Sequence, residues 1–348
     1  MKKLYTKEKY KKYNLKKILK GNRKRNKKIK KNRPIFYMTG VDIRDKIDAP
    51  PDFRLFENPI GCLTFFRDIR KQKNFSRIRN LKFIEIDLSN VTEIDYGTIS
   101  ILTAISDDLK YKNIILKGNF PNNKTCKQKL ESSGFLEHMV NEKGNRFKKV
   151  SKSKLIFFEK GTGKLTTKDS IRISEFIKDI VGHLTGEKAH SQNLKTLLLE
   201  ICGNSIEWSK TNKQQWLLGA KFKKDRVIIT VTDVGQGILK TLHRKFDNKL
   251  IDFIKFKSDL DILIGAFNKK YGSTSKDVNR NKGLPSIKYN LEQNKIENVK
   301  VVTNNVILQL NNKNKSLNLG KGSPRFKGTF FEMEFNKNNI IKINNVQN

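Results

Sequence analysis

Two short stretches in the second half of the chain combine residue types that can do chemistry. Within Glu200-Ile201-Cys202-Gly203-Asn204 an acid and an amide stand four apart, which sets both on one face of a helix. Taken alone, a solvated helix face explains the pair as well. Farther on, Val227-Ile228-Ile229-Thr230-Val231-Thr232-Asp233 reads as a strand ending in an acid, and Gly235-Gln236-Gly237 follows it. Glycines there let backbone approach a ligand closely while the strand end holds the carboxylate, although a plain glycine turn has the same composition. A third stretch, Gly161-Thr162-Gly163-Lys164, resembles part of a phosphate loop but fails its spacing. Phe158 stands where the first glycine belongs and Leu165 where Ser or Thr must follow the lysine, so this is read as a turn.

The elements that must position these residues are legible from periodicity. Asp169 to Leu184 and Ser191 to Ser209 read as helices, the second with Leu194, Leu197, Leu198 and Ile201 on a core face. Strands are expected at 215–222, 226–232, 299–303, 306–310 and 329–335, with a polar, helical stretch over 239–280 and a helix near 284–292. Helices first and hairpin strands after them predict an α+β two-layer sandwich over 169–337, an antiparallel or mixed sheet with helices on one face. Earlier in the chain, a possible short strand at 34–38 precedes a helix at 58–72 that starts at Pro59. An alternating strand at 81–88, a helix at 96–109, a strand at 113–118 and a helix at 124–139 complete a small α/β domain over 35–145. Residues 146–168 read as a linker and 338–348 as a frayed polar tail.

In this order the later parts resemble the GHKL ATPase superfamily of gyrase, heat-shock chaperone, histidine kinase and mismatch-repair ATPases. The resemblance implies that Asn204 ligates Mg²⁺ and Glu200 acts as general base. It implies that Asp233 contacts the adenine of ATP, with Gly235 and Gly237 as pocket wall. The family's second glycine box matches Lys282-Gly283-Leu284-Pro285-Ser286-Ile287 at a helix start, and the late Gly-Thr matches Gly328-Thr329. Of that glycine box only Gly283 is left, so Arg280 and Lys282 are expected either to face phosphate in place of backbone donors or to be solvated lid residues. Trp208 replaces the histidine often found four after the magnesium Asn. Residues 83–95, the strand at 114–118 and Gly134-Phe135-Leu136 look like a STAS domain of the anti-sigma-factor antagonist type. Tyr96 follows Asp95 where the antagonists carry a phosphorylatable Ser. Together the two resemblances imply an ATP-binding regulator whose Mg-ATP state switches a protein partner, by hydrolysis or by phosphorylation, with a homodimer allowed.

The composition bounds these readings. The chain of 348 residues is 36% hydrophobic, enough to bury a core, and no apolar run approaches the ~18 residues a membrane-spanning helix needs. Three dispersed cysteines give neither a disulfide framework nor paired zinc ligands, and His138, His183, His190 and His243 lack metal spacing. A reducing cytoplasm is the expected compartment. The formal charge is +39, of which residues 1–34 carry +16 from 17 Lys/Arg against Glu8 alone. Such an arm is a candidate contact for nucleic acid, yet lysine outnumbers arginine 58 to 15 and 36 residues are Asn, a bias that base composition alone could produce. A nucleic-acid-binding protein gated by ATP, or a degenerate ATPase fold used as scaffold, are the alternatives. The first separates cleanly: deletion of residues 1–33 abolishes polynucleotide binding, and wild-type binding falls steeply with salt. Filter binding across a salt series that is flat, or indifferent to the deletion, removes that alternative.

Overall fold

A computed structural model describes residues 46–71, 83–147, 156–161, 165–209, 216–246, 257–268 and 283–344. The basic arm, the strand expected at 34–38, and Arg280 and Lys282 lie outside these residues. Both regions that bear motifs fall within one unit, Arg44–Asn348.

The first half is a parallel α/β layer. Strands β1 (Ile47–Asp48) and β2 (Asp52–Phe53) lead to helix α1 (Pro59–Ile69). Asn58 caps that helix by accepting from Gly61 N at 3.2 Å, and Pro59 occupies the first turn, where its missing N–H costs nothing. Strands β3 (Phe83–Asp87) and β4 (Glu93–Ile94) precede helix α2 (Tyr96–Tyr111), and β5 (Ile115–Gly118), α3 (Lys124–Ser133) and β6 (Met139–Val140) follow. The sheet runs β1-β3-β5-β6 and is parallel throughout, while β2 pairs with β4. Helix α2 is buried from Tyr96 to Leu109, including Thr98, Ser100, Thr103 and Ser106. A helix buried all round has partners on both sides.

The second partner is the larger sheet. It comprises β7 (Ile156–Gly161), β8 (Trp216–Phe222), β9 (Arg226–Asp233), β10 (Glu297–Asn304), β11 (Val306–Gln309), β12 (Leu317–Asn318) and β13 (Phe326–Asn336). The order is β12-β11-β10-β13-β9-β8-β7, with every pairing antiparallel. Helices α4 (Thr167–Thr185), α5 (Gln192–Ser209), α6 (Ile238–Phe246), α7 (Asp259–Phe267), α8 (Gly283–Glu292) and α9 (Lys337–Asn344) complete the chain. Thr166 and Asp169 form a capping box at the start of α4, and Gly186 ends it in the left-handed conformation.

The strands sort their residues by parity. Val227, Ile229 and Val231 of β9, with Phe331, Met333 and Phe335 of β13, pack with Ile177 of α4, Leu198 of α5 and Ile287 of α8. The opposite face presents Phe330 of β13 and Leu217 of β8, which join a second core containing Ile101 and Ile105 of α2 and Phe66 of α1. On this face Ser100 Oγ meets Thr230 Oγ1 at 3.0 Å and Thr232 Oγ1 at 3.1 Å, all three buried.

The mixed α+β class matches the expectation, and the helix-covered face is present. The arrangement differs in that the sheet is covered on its second face as well, by α1 and α2. Two further segments also differ. The stretch read as a linker contains β7, an edge strand that extends the sheet beyond β8. The stretch read as a frayed tail contains α9, which buries Ile340 and Ile343 against the helix-side core. Asn339, itself buried, donates to Asn294 O at 2.9 Å and to Glu297 Oε1 at 3.2 Å, so its polarity is satisfied internally.

The Ser100 cluster tests the double coverage. Ser100→Ala leaves two threonine hydroxyls buried without that partner and lowers the unfolding free energy by about 1–3 kcal/mol. Urea denaturation measures it; an unchanged midpoint would mean that this face is wet in solution.

Candidate functional site

Strand β9 delivers Asp233 to the end of the sheet, opposite Thr329 on β13 in the antiparallel register. Both are buried, at 1% and 0% exposure. Asp233 Oδ1 accepts from Gly235 N at 2.8 Å, so the chain turns on its own carboxylate. Asp233 Oδ2 and Thr329 Oγ1 are buried with no hydrogen-bond partner, as is Gln236 Oε1. Burial pushes the Asp233 carboxyl up to about 7; the Gly235 amide, the nearby Thr329 hydroxyl and amide and the Arg70 charge offset this only in part.

The loop after Asp233 is fixed from three sides. Gly237 has φ +83°, and a Cβ there would meet Asn304 Oδ1 at 2.6 Å and both Gly328 O and Thr303 Oγ1 at 2.8 Å. Gly328 has φ +146°, and a Cβ on it would overlap the Asp233 carbonyl oxygen. The β10–β11 turn supplies the second support: Asn304 Nδ2 donates to Gln236 O at 2.9 Å, and Ile238 N donates to Thr303 Oγ1 at 2.9 Å. The third comes from the α/β layer, where half-buried Arg70 donates to Val234 O at 2.6 Å and to Lys327 O.

A second cluster forms between α5 and α8. Asn204 packs so closely on the start of α8 that a Cβ on Gly283 would overlap its Nδ2. That amide nitrogen is buried and has no hydrogen-bond partner. Rotating the amide exchanges its nitrogen and oxygen at the same place. Glu200 lies one helical turn earlier on α5 and is half-buried. Helix α5 in turn packs on β9 and β13, so one helix links the two clusters.

The structure therefore brings Asp233, Gly235, Gly237 and Thr329 together, and Asn204 with Gly283. Arg280 and Lys282 lie outside the described residues. Of the seven unpartnered buried polar side-chain atoms among the described residues, three belong to Asp233, Gln236 and Thr329 at the end of β9 and β13, and a fourth to Asn204 in the second cluster. Sequence reasoning missed Arg70, Thr303 and Asn304, and it singled out Gly328 only as part of the late Gly-Thr, without its positive φ. The Asn304-Asn305 pair between two strands carried a turn signal, but Arg70 reaches its two carbonyls across 164 and 257 positions and left none.

No group of three or more His, Cys, Asp or Glu among the described residues can hold a metal alone. Magnesium fits a site with one amide oxygen, since it takes few protein oxygens and fills the rest with phosphate and water. The three cysteines are free and buried, and burial pushes the Cys202 thiol up to about 12, which fits a packed side chain.

Ionising Asp233 is a stability cost with a defined pH window. Its folded pKa of about 7 exceeds the ordinary 3.8, so the cost is absent below 3.8, grows between the two values and is complete above about 7. Asp233→Asn keeps the acceptor for Gly235 N and removes the charge. The variant gains on the wild type as pH rises from about 4 to about 7, at about 1.4 kcal/mol per unit of pKa difference. Denaturation at several pH values measures it, and a pH-independent difference would overturn it. No protein-family model, curated protein or solved structure matches the chain.

Proposed function

We propose that this chain is an ATP-binding regulatory protein of the GHKL type, in which Mg-ATP occupancy switches contacts with a protein partner. The observation that carries the reading is the unpartnered polarity of Asp233 and Thr329 at the end of β9 and β13. An exocyclic amino group such as that of adenine donates a hydrogen bond, which meets Asp233 Oδ2 and stabilises its charged form. Gly237 lets the turn close tightly on Asn304 and Gly328, which holds the Asp233 carboxylate in place at the strand end. Asn204 supports the phosphate end of the reading, because it stands against Gly283 at the first residue of α8, where backbone N–H groups have no helical partner. Magnesium, when bound, neutralises phosphate charge and orients the terminal phosphoryl group. Asn204 would hold it and Glu200 would orient a water or a hydroxyl acceptor. Whether the phosphoryl group goes to water or to a protein decides between an ATPase and a kinase.

The α/β layer, read as STAS-like, gives the switch its output. It covers the second face of the sheet whose strand β9 ends in Asp233, and its Arg70 holds the carbonyl after Asp233. A change at the loop therefore reaches α1 and α2 through packed side chains and two hydrogen bonds.

Calorimetry with the full chain tests the reading. ATP binds in the presence of Mg²⁺, and Asn204→Ala removes most of the magnesium dependence. Asp233→Asn, which opposes a donor with a donor, weakens binding by about tenfold or more. Affinity rises with pH through about 7, because the bound carboxylate must be charged and Asp233 titrates there. Absence of ATP binding to folded wild-type protein would end this proposal. Labelled ATP, with Glu200→Gln alongside, then identifies the acceptor.

A further inference from the structure

A separate, small cleft of about 70 Å³ opens where the C-terminal end of α1 meets the start of β13. Its floor is apolar, made by the buried rings of Phe66 and Phe326. Its walls are cationic: Arg67, Arg70 and Lys71 come from α1 and the residues after it, Arg325 and Lys327 from β13 and the residue before it. One carboxylate answers them directly. Asp68 accepts from Arg67 Nε at 3.0 Å and pairs with Lys71 Nζ at 2.9 Å. Arg70 gives both terminal nitrogens to the carbonyls of Val234 and Lys327, and the nearby charges that act on it, Asp108 and Asp233, make no hydrogen bond to it. Arg325 and Lys327 are exposed, and among the described residues their side chains have neither an ion pair nor a hydrogen bond.

Five cations around one small cleft repel one another, and a single carboxylate leaves most of that repulsion standing. Some of this charge complements the α1 helix dipole, but Arg325 and Lys327 belong to no helix. We infer that the cleft binds a doubly charged phosphate group, either free phosphate or a small phosphate monoester. Two guanidinium planes and two ammonium groups suit its several oxygens, with Arg67 committing Nε alone among its nitrogens. The inference rests on the cleft itself and is independent of the nucleotide reading. It has one added consequence: Arg70 ties the cleft wall to the carbonyls of Val234 and Lys327, which flank the Asp233–Thr329 pair.

The test titrates inorganic phosphate, and separately phosphoserine, into the full chain by calorimetry without nucleotide and with ionic strength held by chloride. Saturable binding is expected, weakened about tenfold or more in the Arg325→Gln/Lys327→Gln double variant. Both side chains are exposed, so the variant retains its fold, which circular dichroism checks. A phosphate-dependent rise in Tm present in the wild type and lost in the variant is the second supporting readout. Tighter phosphoserine binding identifies the monoester as the source, tighter inorganic phosphate the free ion. Non-saturating titrations, or equal affinity in both proteins, overturn the inference. So does a double variant that loses oligonucleotide binding alone, since the cleft is then part of a polymer surface.

Discussion

Everything in the described unit depends on the contact between α2 and the second face of the seven-stranded sheet. There the hydroxyls of Ser100, Thr230 and Thr232 meet one another among the apolar side chains of the α2-side core. Hydroxyl groups buried without partners cost free energy, so this pairing favours one registration of helix on sheet over its neighbours. The charges nearby follow the same logic. Lys300 Nζ pairs with Glu332 Oε1 at 2.9 Å, and Asp95 caps α2 by accepting from Thr98 N at 2.7 Å while also accepting from Leu55 N at 2.9 Å. Burial nevertheless raises the carboxyls of both Asp95 and Glu332. The interface thus keeps titratable groups where a plain hydrophobic seam would have none.

That seam explains how the two motif-bearing regions act as one body. The helix-side core and the α2-side core meet in the same strands, because alternate residues of β9 and β13 point to opposite faces. Deforming the end of β9 therefore disturbs both. The Asp233 loop is held mainly by groups outside its own strand: Gly328, Thr303 and Asn304 on one side and Arg70 on the other. Such a loop is rigid only while its neighbours are in place, which is the condition a switch requires.

Much of this was legible in the sequence. Hairpin strands from 216 to 233, the helix carrying Glu200 and Asn204, and the α/β alternation from 83 to 133 follow from period and capping residues. The pairing of Asn204 with Gly283 was implied only by the resemblance. What stayed hidden depends on contacts distant in sequence. Helix α2 interleaves Thr98, Ser100, Thr103 and Ser106 with apolar residues, a pattern for burial on all sides that names no partner. Strand β7 lay in a segment too basic to stand out, and α9 was masked by asparagines that include the buried Asn339. A single arginine at the end of a helix, such as Arg70, looks like a dipole partner until the carbonyls it meets are known.

The strand order has a consequence for how the chain folds. Strand β13 is the latest in sequence among the described strands, yet it sits between β10 and β9. Until residues 326–336 leave the ribosome, β9 and β10 each present an open edge with unpaired backbone groups. The earlier α/β layer can form first from local pairings, but its α2 must wait for a sheet that still lacks its central strand. Synthesis therefore leaves a partly built, sticky intermediate until β13 is made, and closure of that gap is the step at which chaperone assistance and misassembly compete.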